Sequence, residues 1–168
     1  MAENETGPAR LITPPNTLKD KVVMGGPGAI DPDVLEKAEQ IIADMADDYI
    51  HWAREDVERL TGALAEFTAD GGATPENMDK IFQIAHDMKG QGGSFGYDLV
   101  TAVGHELCRF IEKVEANGVI GPAEVNAVVL HVQAIRRIIT DDMKGDGGDQ
   151  GSALLTGLQL VRKKILKV

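Results

Sequence analysis

Four segments of this chain repeat apolar residues at steps of three and four, and proline or glycine marks their boundaries. That spacing gathers apolar side chains on one face of a helix. The first segment opens at Asp31-Pro32-Asp33, an N-cap acid followed by proline at the first helical position. It carries Ala38, Ile42, Met45, Tyr49, Trp52, Leu60, Leu64 and Phe67 as far as Gly71-Gly72. The second opens at Thr74-Pro75-Glu76 and carries Met78, Ile81, Phe82, Ala85 and Met88, then meets a cluster of glycines at 90, 92, 93 and 96. The third runs Val100, Val103, Leu107, Phe110 and Val114 and stops at Asn117-Gly118. The fourth follows Gly121-Pro122 with Val125, Val128, Val132, Ile135 and Ile139. Such seams suit nearly antiparallel packing with short connections. They predict an all-α chain, an antiparallel up-down four-helix bundle over residues 31–143.

The flanks read differently. Residues 1–30 hold four of the seven prolines and the Gly25-Gly26-Pro27-Gly28 run, which reads as a flexible tail. A polar stretch over 144–151 leads to an extra C-terminal helix through Leu155, Leu158, Val161 and Ile165. Its basic end, Arg162, Lys163, Lys164 and Lys167, suits the negative pole of a helix dipole.

Charge and composition exclude several classes of function. Lys plus Arg number 17 against 27 Asp plus Glu, a net charge of −10, which argues against a nucleic-acid or anionic-membrane surface. At 168 residues the chain suits one domain, and 4% aromatic content points to an aliphatic helical core. A single cysteine, Cys108, forms no internal disulfide and fits a reducing compartment. No run of 18 apolar residues occurs and the first residues lack an apolar signal region, so a cytoplasmic protein is expected.

Little in the chain resembles catalytic machinery. His51, His86, His105 and His131 fall on four different predicted helices, none with the partners of a metal site, so no metal is expected. No Walker, GxGxxG or GxSxG motif occurs. The glycines from 90 to 96 follow a helix, whereas a phosphate loop follows a strand. His86 nonetheless stands out. It lies roughly 120° from the centre of the second helix's apolar set, at about 100° per residue, and so flanks the core. Lys89 at i+3 brings a cation near it, while Gly90 at i+4 and Gly93 at i+7 remove side chains that would shield the ring. Glycine costs about 1 kcal/mol against alanine inside a helix. Close approach by another molecule is a reason to accept that cost; a helix that simply ends near residue 90, with His86 on its surface, is the plainer one.

The segment His86 to Gly96, HDMKGQGGSFG, resembles the histidine-containing phosphotransfer (HPt) domains of bacterial two-component phosphorelays. It is most similar to the phosphotransfer domain of chemotaxis-type histidine kinases, a similarity that continues through Phe95-Gly96-Tyr97, Leu99 and His105 and covers about residues 33–143. The resemblance implies that His86 is a phosphoacceptor, that Lys89 neutralises phosphoryl oxygens, and that Gly96 shapes the turn into the third helix. It implies a partner-facing surface at Gln83, Gly90, Gly93 and Phe95. It implies no cofactor in the chain itself, Mg²⁺ being held by the partner receiver domain, and as partners receiver domains together with a sensor or hybrid kinase. Chemotaxis-type members carry a glutamate that orients the acceptor ring where this chain has Cys108, a weak hydrogen-bonding group. His105 and Cys108 are thus the candidates for a supporting role, although His105, far from the third helix's seam, reads more readily as plain surface. The departure at Cys108 favours a relay carrier over a kinase substrate. A helical module that binds a receiver or kinase without accepting phosphate is the alternative. No nucleotide site is found, so no kinase activity is expected.

Overall fold

The computed structural model describes residues 31–167, and among them all regular structure is helical. The segment read as a flexible tail lies outside the described residues. Five α-helices follow in order: α1 (Pro32–Thr68), α2 (Pro75–Gly92), α3 (Asp98–Asn117), α4 (Pro122–Thr140) and α5 (Gly148–Leu166), with a 3₁₀ turn at Gly93–Phe95 between α2 and α3. The chain divides into an N-terminal unit ending at Ile41 and a second unit over Ile42–Val168. In the N-terminal unit Ala38 and its apolar neighbours Val34, Leu35 and Ile41 are exposed.

The helix starts obey local chemistry. The backbone N–H of Asp33 donates to Asp31 Oδ1 at 3.0 Å, and that of Asn77 donates to Thr74 Oγ1 at 3.3 Å. At the start of α4 the Gly121 N–H donates to Glu124 Oε2 at 3.0 Å. Each satisfies an orphan donor of the first turn.

In the second unit the bundle closes over Leu60, Phe67, Ile81, Met88, Val103, Phe110, Val128 and Ile135. All five predicted apolar positions of α3 are buried, as are Val128, Val132, Ile135 and Ile139 of α4, while Val125 is half-buried. In α2 Phe82 is only half-buried, and Ile84 takes a place in the core. The largest correction falls on α1. Met45 and Trp52 are exposed, at 40% and 41%, although both sit on the predicted stripe. The buried face there runs through Tyr49, Ala53, Val57, Leu60, Ala63 and Phe67. Close-packed neighbouring helices accept the small Ala53 and Ala63 where the sequence pattern favours larger residues.

Helix α3 is the hub, packing against α2, α4 and α5. The C-terminal helix docks through Leu158 and through Arg162, whose Nε donates to Glu106 Oε2 at 2.8 Å. Both side chains are largely buried, so this is an enclosed ion pair. Nearby, His131 is fully buried on α4 with its ring stacked on Phe110 at 5.9 Å. Its Nδ1 donates to the Ala127 carbonyl at 2.8 Å, which leaves Nε2 without a partner among the described residues.

Burial pushes the His131 pKa below its ordinary 6.5, reinforced by Arg162 and opposed by the Ala127 bond and by Glu106. Below 6.5 the unfolded chain binds a proton that the folded chain refuses, so stability falls as the pH drops. The urea midpoint should decrease between about pH 7 and about pH 5, and His131→Phe should flatten that dependence. An unchanged slope in the variant would remove His131 as its source.

Candidate functional site

The outward face of α2, carried on into the first residue of the 3₁₀ turn, is a continuous exposed strip: Asp79, Gln83, His86, Gly90 and Gly93, at steps of four, three, four and three. The strip lies opposite the buried face of Met78, Ile81, Ala85, Met88 and Gly92, so the helix displays His86 on the solvent side. The His86 ring rests against that of Phe82, one turn earlier, with centroids 5.8 Å apart and planes tilted by 31°. A half-buried aromatic ring thus braces an exposed one. Gln83 Nε2 donates to Asp79 Oδ1 at 3.3 Å along the same strip.

On the α3 side the two helices come unusually close. A Cβ added at Gly104 would lie 3.0 Å from Lys89 Cβ and 3.2 Å from the Ala85 carbonyl oxygen. One turn away, Thr101 Oγ1 donates to the Lys89 carbonyl at 2.9 Å. Lys89 is thereby fixed at its backbone by α3, three residues from the histidine, and its side chain is half-buried. Sequence reasoning missed both Gly104 and Thr101. A glycine in mid-helix with no turn to make was the available signal.

Gly90 is the opposite case. A Cβ there would meet nothing within 4 Å, so no neighbour inside the chain requires a glycine. Gly93 is likewise exposed, its added Cβ in ordinary contact with Thr101 and Asp98. Helix α2 continues through Gly90 to Gly92, so the cluster does not end it at residue 90. Gly96 closes the 3₁₀ turn with φ +78°, a left-handed conformation natural to glycine.

The remaining candidates are placed as follows. Phe95 is half-buried, stacked on Tyr49 at 4.7 Å and edge-on to Trp52 at 6.5 Å, so its ring is packed within an aromatic cluster that also holds Tyr97. Burial, with Asp56 adding to it, pushes the Tyr49 hydroxyl up to about 12. His105 is exposed on α3. Cys108 lies deeper than the flank position the sequence suggests, 3% exposed within the core cluster. Burial raises its thiol pKa, and the Lys89 cation pulls the other way. Neither His105 nor Cys108 hydrogen-bonds to His86 among the described residues. No group of three or more His, Cys, Asp or Glu among the described residues could hold a metal ion.

The described residues thus form an all-helical bundle with His86 exposed on its outward face, against the half-buried Phe82. The family is specific: the Hpt domain model matches residues 44–138, and the chain belongs to the Hpt domain family. Its role is phosphotransfer-related, within two-component signalling, and its partners are of the two-component class of kinases and receivers. Comparison with curated proteins and with solved structures returned no match. No described helix is long and apolar enough to cross a membrane.

The two glycines should respond oppositely to alanine. Gly90→Ala is expected to stabilise by up to about 1 kcal/mol through helix propensity. Gly104→Ala should destabilise by about 1–2 kcal/mol, because its Cβ must push against the α2 backbone. Urea denaturation of both variants checks this, and equal shifts would mean that α2 and α3 do not approach as described.

Proposed function

We propose that the chain is a phosphorelay carrier. It accepts a phosphoryl group on His86 from a receiver-domain aspartate or a hybrid kinase and passes it to a response-regulator aspartate. The observation that carries this reading is His86 itself, exposed at the middle of the α2 strip with open space beside it at Gly90. A neutral imidazole nitrogen is a competent nucleophile near neutral pH. It forms an N–P bond as the P–O bond to the aspartate breaks, and the electron pair leaves on the carboxylate. The reverse sequence delivers the group onward.

Each neighbour has a role in that exchange. Lys89 supplies positive charge for the phosphoryl oxygens, on a backbone held by Thr101. Gln83, Gly90 and Gly93 make a low rim that a receiver domain can approach, and Phe95 anchors the turn beyond it. Gly96 sets the direction of the chain into α3. His105 and Cys108 remain the α3 candidates for a supporting role, His105 at the surface and Cys108 within the core. The phosphoryl chemistry needs a metal only where the acyl phosphate sits, so Mg²⁺ belongs to the receiver. A location in the cytoplasm follows from such partners.

Incubation with a phosphorylated receiver domain and Mg²⁺ should label the chain with phosphate that survives base and is lost in acid. His86→Gln should abolish the label while shifting the urea midpoint by no more than about 0.5 kcal/mol of stability, as expected for an exposed position. Gly90→Leu should block transfer from the receiver although it favours helix. Full labelling of the His86→Gln protein would assign the acceptor elsewhere.

A further inference from the structure

The segment that carries the strip onward is conformationally loose by composition. Glycines occupy positions 90, 92, 93 and 96, and glycine loses more freedom on folding than any other residue. Something must hold the 93–97 turn in place. Within the turn, the Tyr97 N–H donates to the Gly92 carbonyl at 2.8 Å. The other bonds come from the α4–α5 connection. The Gly145 N–H donates to the Gly96 carbonyl at 2.6 Å, and the Gly145 carbonyl accepts from the Leu99 N–H at 2.9 Å. The Tyr97 hydroxyl donates to Asp142 Oδ1. Tyr97 is 2% exposed, and its ring lies 5.1 Å from that of Tyr49, which also stacks on Phe95. One connection therefore grips the turn on both sides of Tyr97.

All of the gripping residues lie after the span that matches the family, which ends at residue 138. The α4–α5 connection is itself held down from the far side. Gly147 and Gly151 pack against Leu99, and the Arg162–Glu106 pair fastens α5 to α3. The C-terminal addition thus reaches back to the end of the α2 strip.

We propose that Asp142 and Gly145 are positioning residues for phosphotransfer: they lock the Gly93–Tyr97 turn in the shape against which the receiver domain docks. The inference rests on the phosphotransfer reading above. Asp142 and Gly145 touch neither His86 nor the phosphoryl group. They act through the turn, so their loss should weaken docking and leave the intrinsic reactivity of the imidazole alone. Phosphoramidate, a donor too small to feel the turn, separates the two.

The test compares the full chain with Tyr97→Phe, Asp142→Ala and Asp142→Asn. Receiver domains phosphorylated with acetyl phosphate and freed of excess donor serve as one substrate, and phosphoramidate as the other. Tyr97→Phe and Asp142→Ala should lower receiver-to-histidine transfer by about tenfold, the loss expected for a part-buried hydrogen bond to a charged acceptor. The loss should fall on KM for the receiver, with phosphoramidate labelling at the wild-type rate. Asp142→Asn keeps an acceptor oxygen and tolerates the residue's φ of +49°, so it should restore transfer to within about twofold of wild type. Wild-type transfer in Tyr97→Phe and Asp142→Ala, or an equal loss with both donors, would overturn the assignment. A wild-type chain labelled by neither donor would instead overturn the phosphotransfer reading, and this inference with it.

Discussion

The close approach of α2 and α3 at Gly104 is the contact on which the rest of the site depends. With hydrogen in place of a side chain, α3 settles against Ala85 and Lys89, near enough for the Thr101 hydroxyl to bond the Lys89 carbonyl. That contact fixes the rotation of α2 about its own axis. Once Ala85 faces α3 and Ile81 and Met88 face the interior, Gln83, His86 and Gly90 have only the solvent side left. The display of the histidine is thus a consequence of packing on the opposite face, where close-packed side chains permit few alternatives.

The site that results is sparse, which suits a protein whose chemistry is shared with its partner. In the proposed phosphorelay role the chain contributes one nucleophile, one nearby cation and an unobstructed approach. The core beneath is mostly apolar, and the buried polar residues Glu106 and His131 lie near the C-terminal helix. Stability and the proposed reactivity are therefore separated in space. Substitutions on the strip and substitutions in the core should act on different observables.

Much of this was legible before any coordinates. The helix starts at Asp31-Pro32 and Thr74-Pro75 follow from side-chain capping, and Gly118 ends α3 in the left-handed conformation that glycine favours. The α3 stripe was complete because that helix packs on three neighbours. The α1 stripe was less reliable. Trp52 and Met45 continue the apolar spacing yet stay exposed, while Ala53 and Val57 are buried, because spacing records which residues share a face and says nothing of what covers it. At the site, the angle of His86 away from the core was readable. The burial of Cys108 and the packing of Phe95 on Tyr49 were not, since both depend on other helices.

The sequence by itself determined the helices, their order and the histidine motif, because capping, periodicity and the effects of glycine and proline act over a few residues. Only the tertiary structure decided what holds the motif in place. Gly104 meets Lys89 across 15 positions of chain, and Gly145 meets Gly96 across 49. No local pattern encodes such pairings, which exist only when all the helices bury their apolar faces together. Nor does any pattern in α5 announce that Arg162 will find Glu106. That partnership follows from burial, which leaves each charge no better partner than the other.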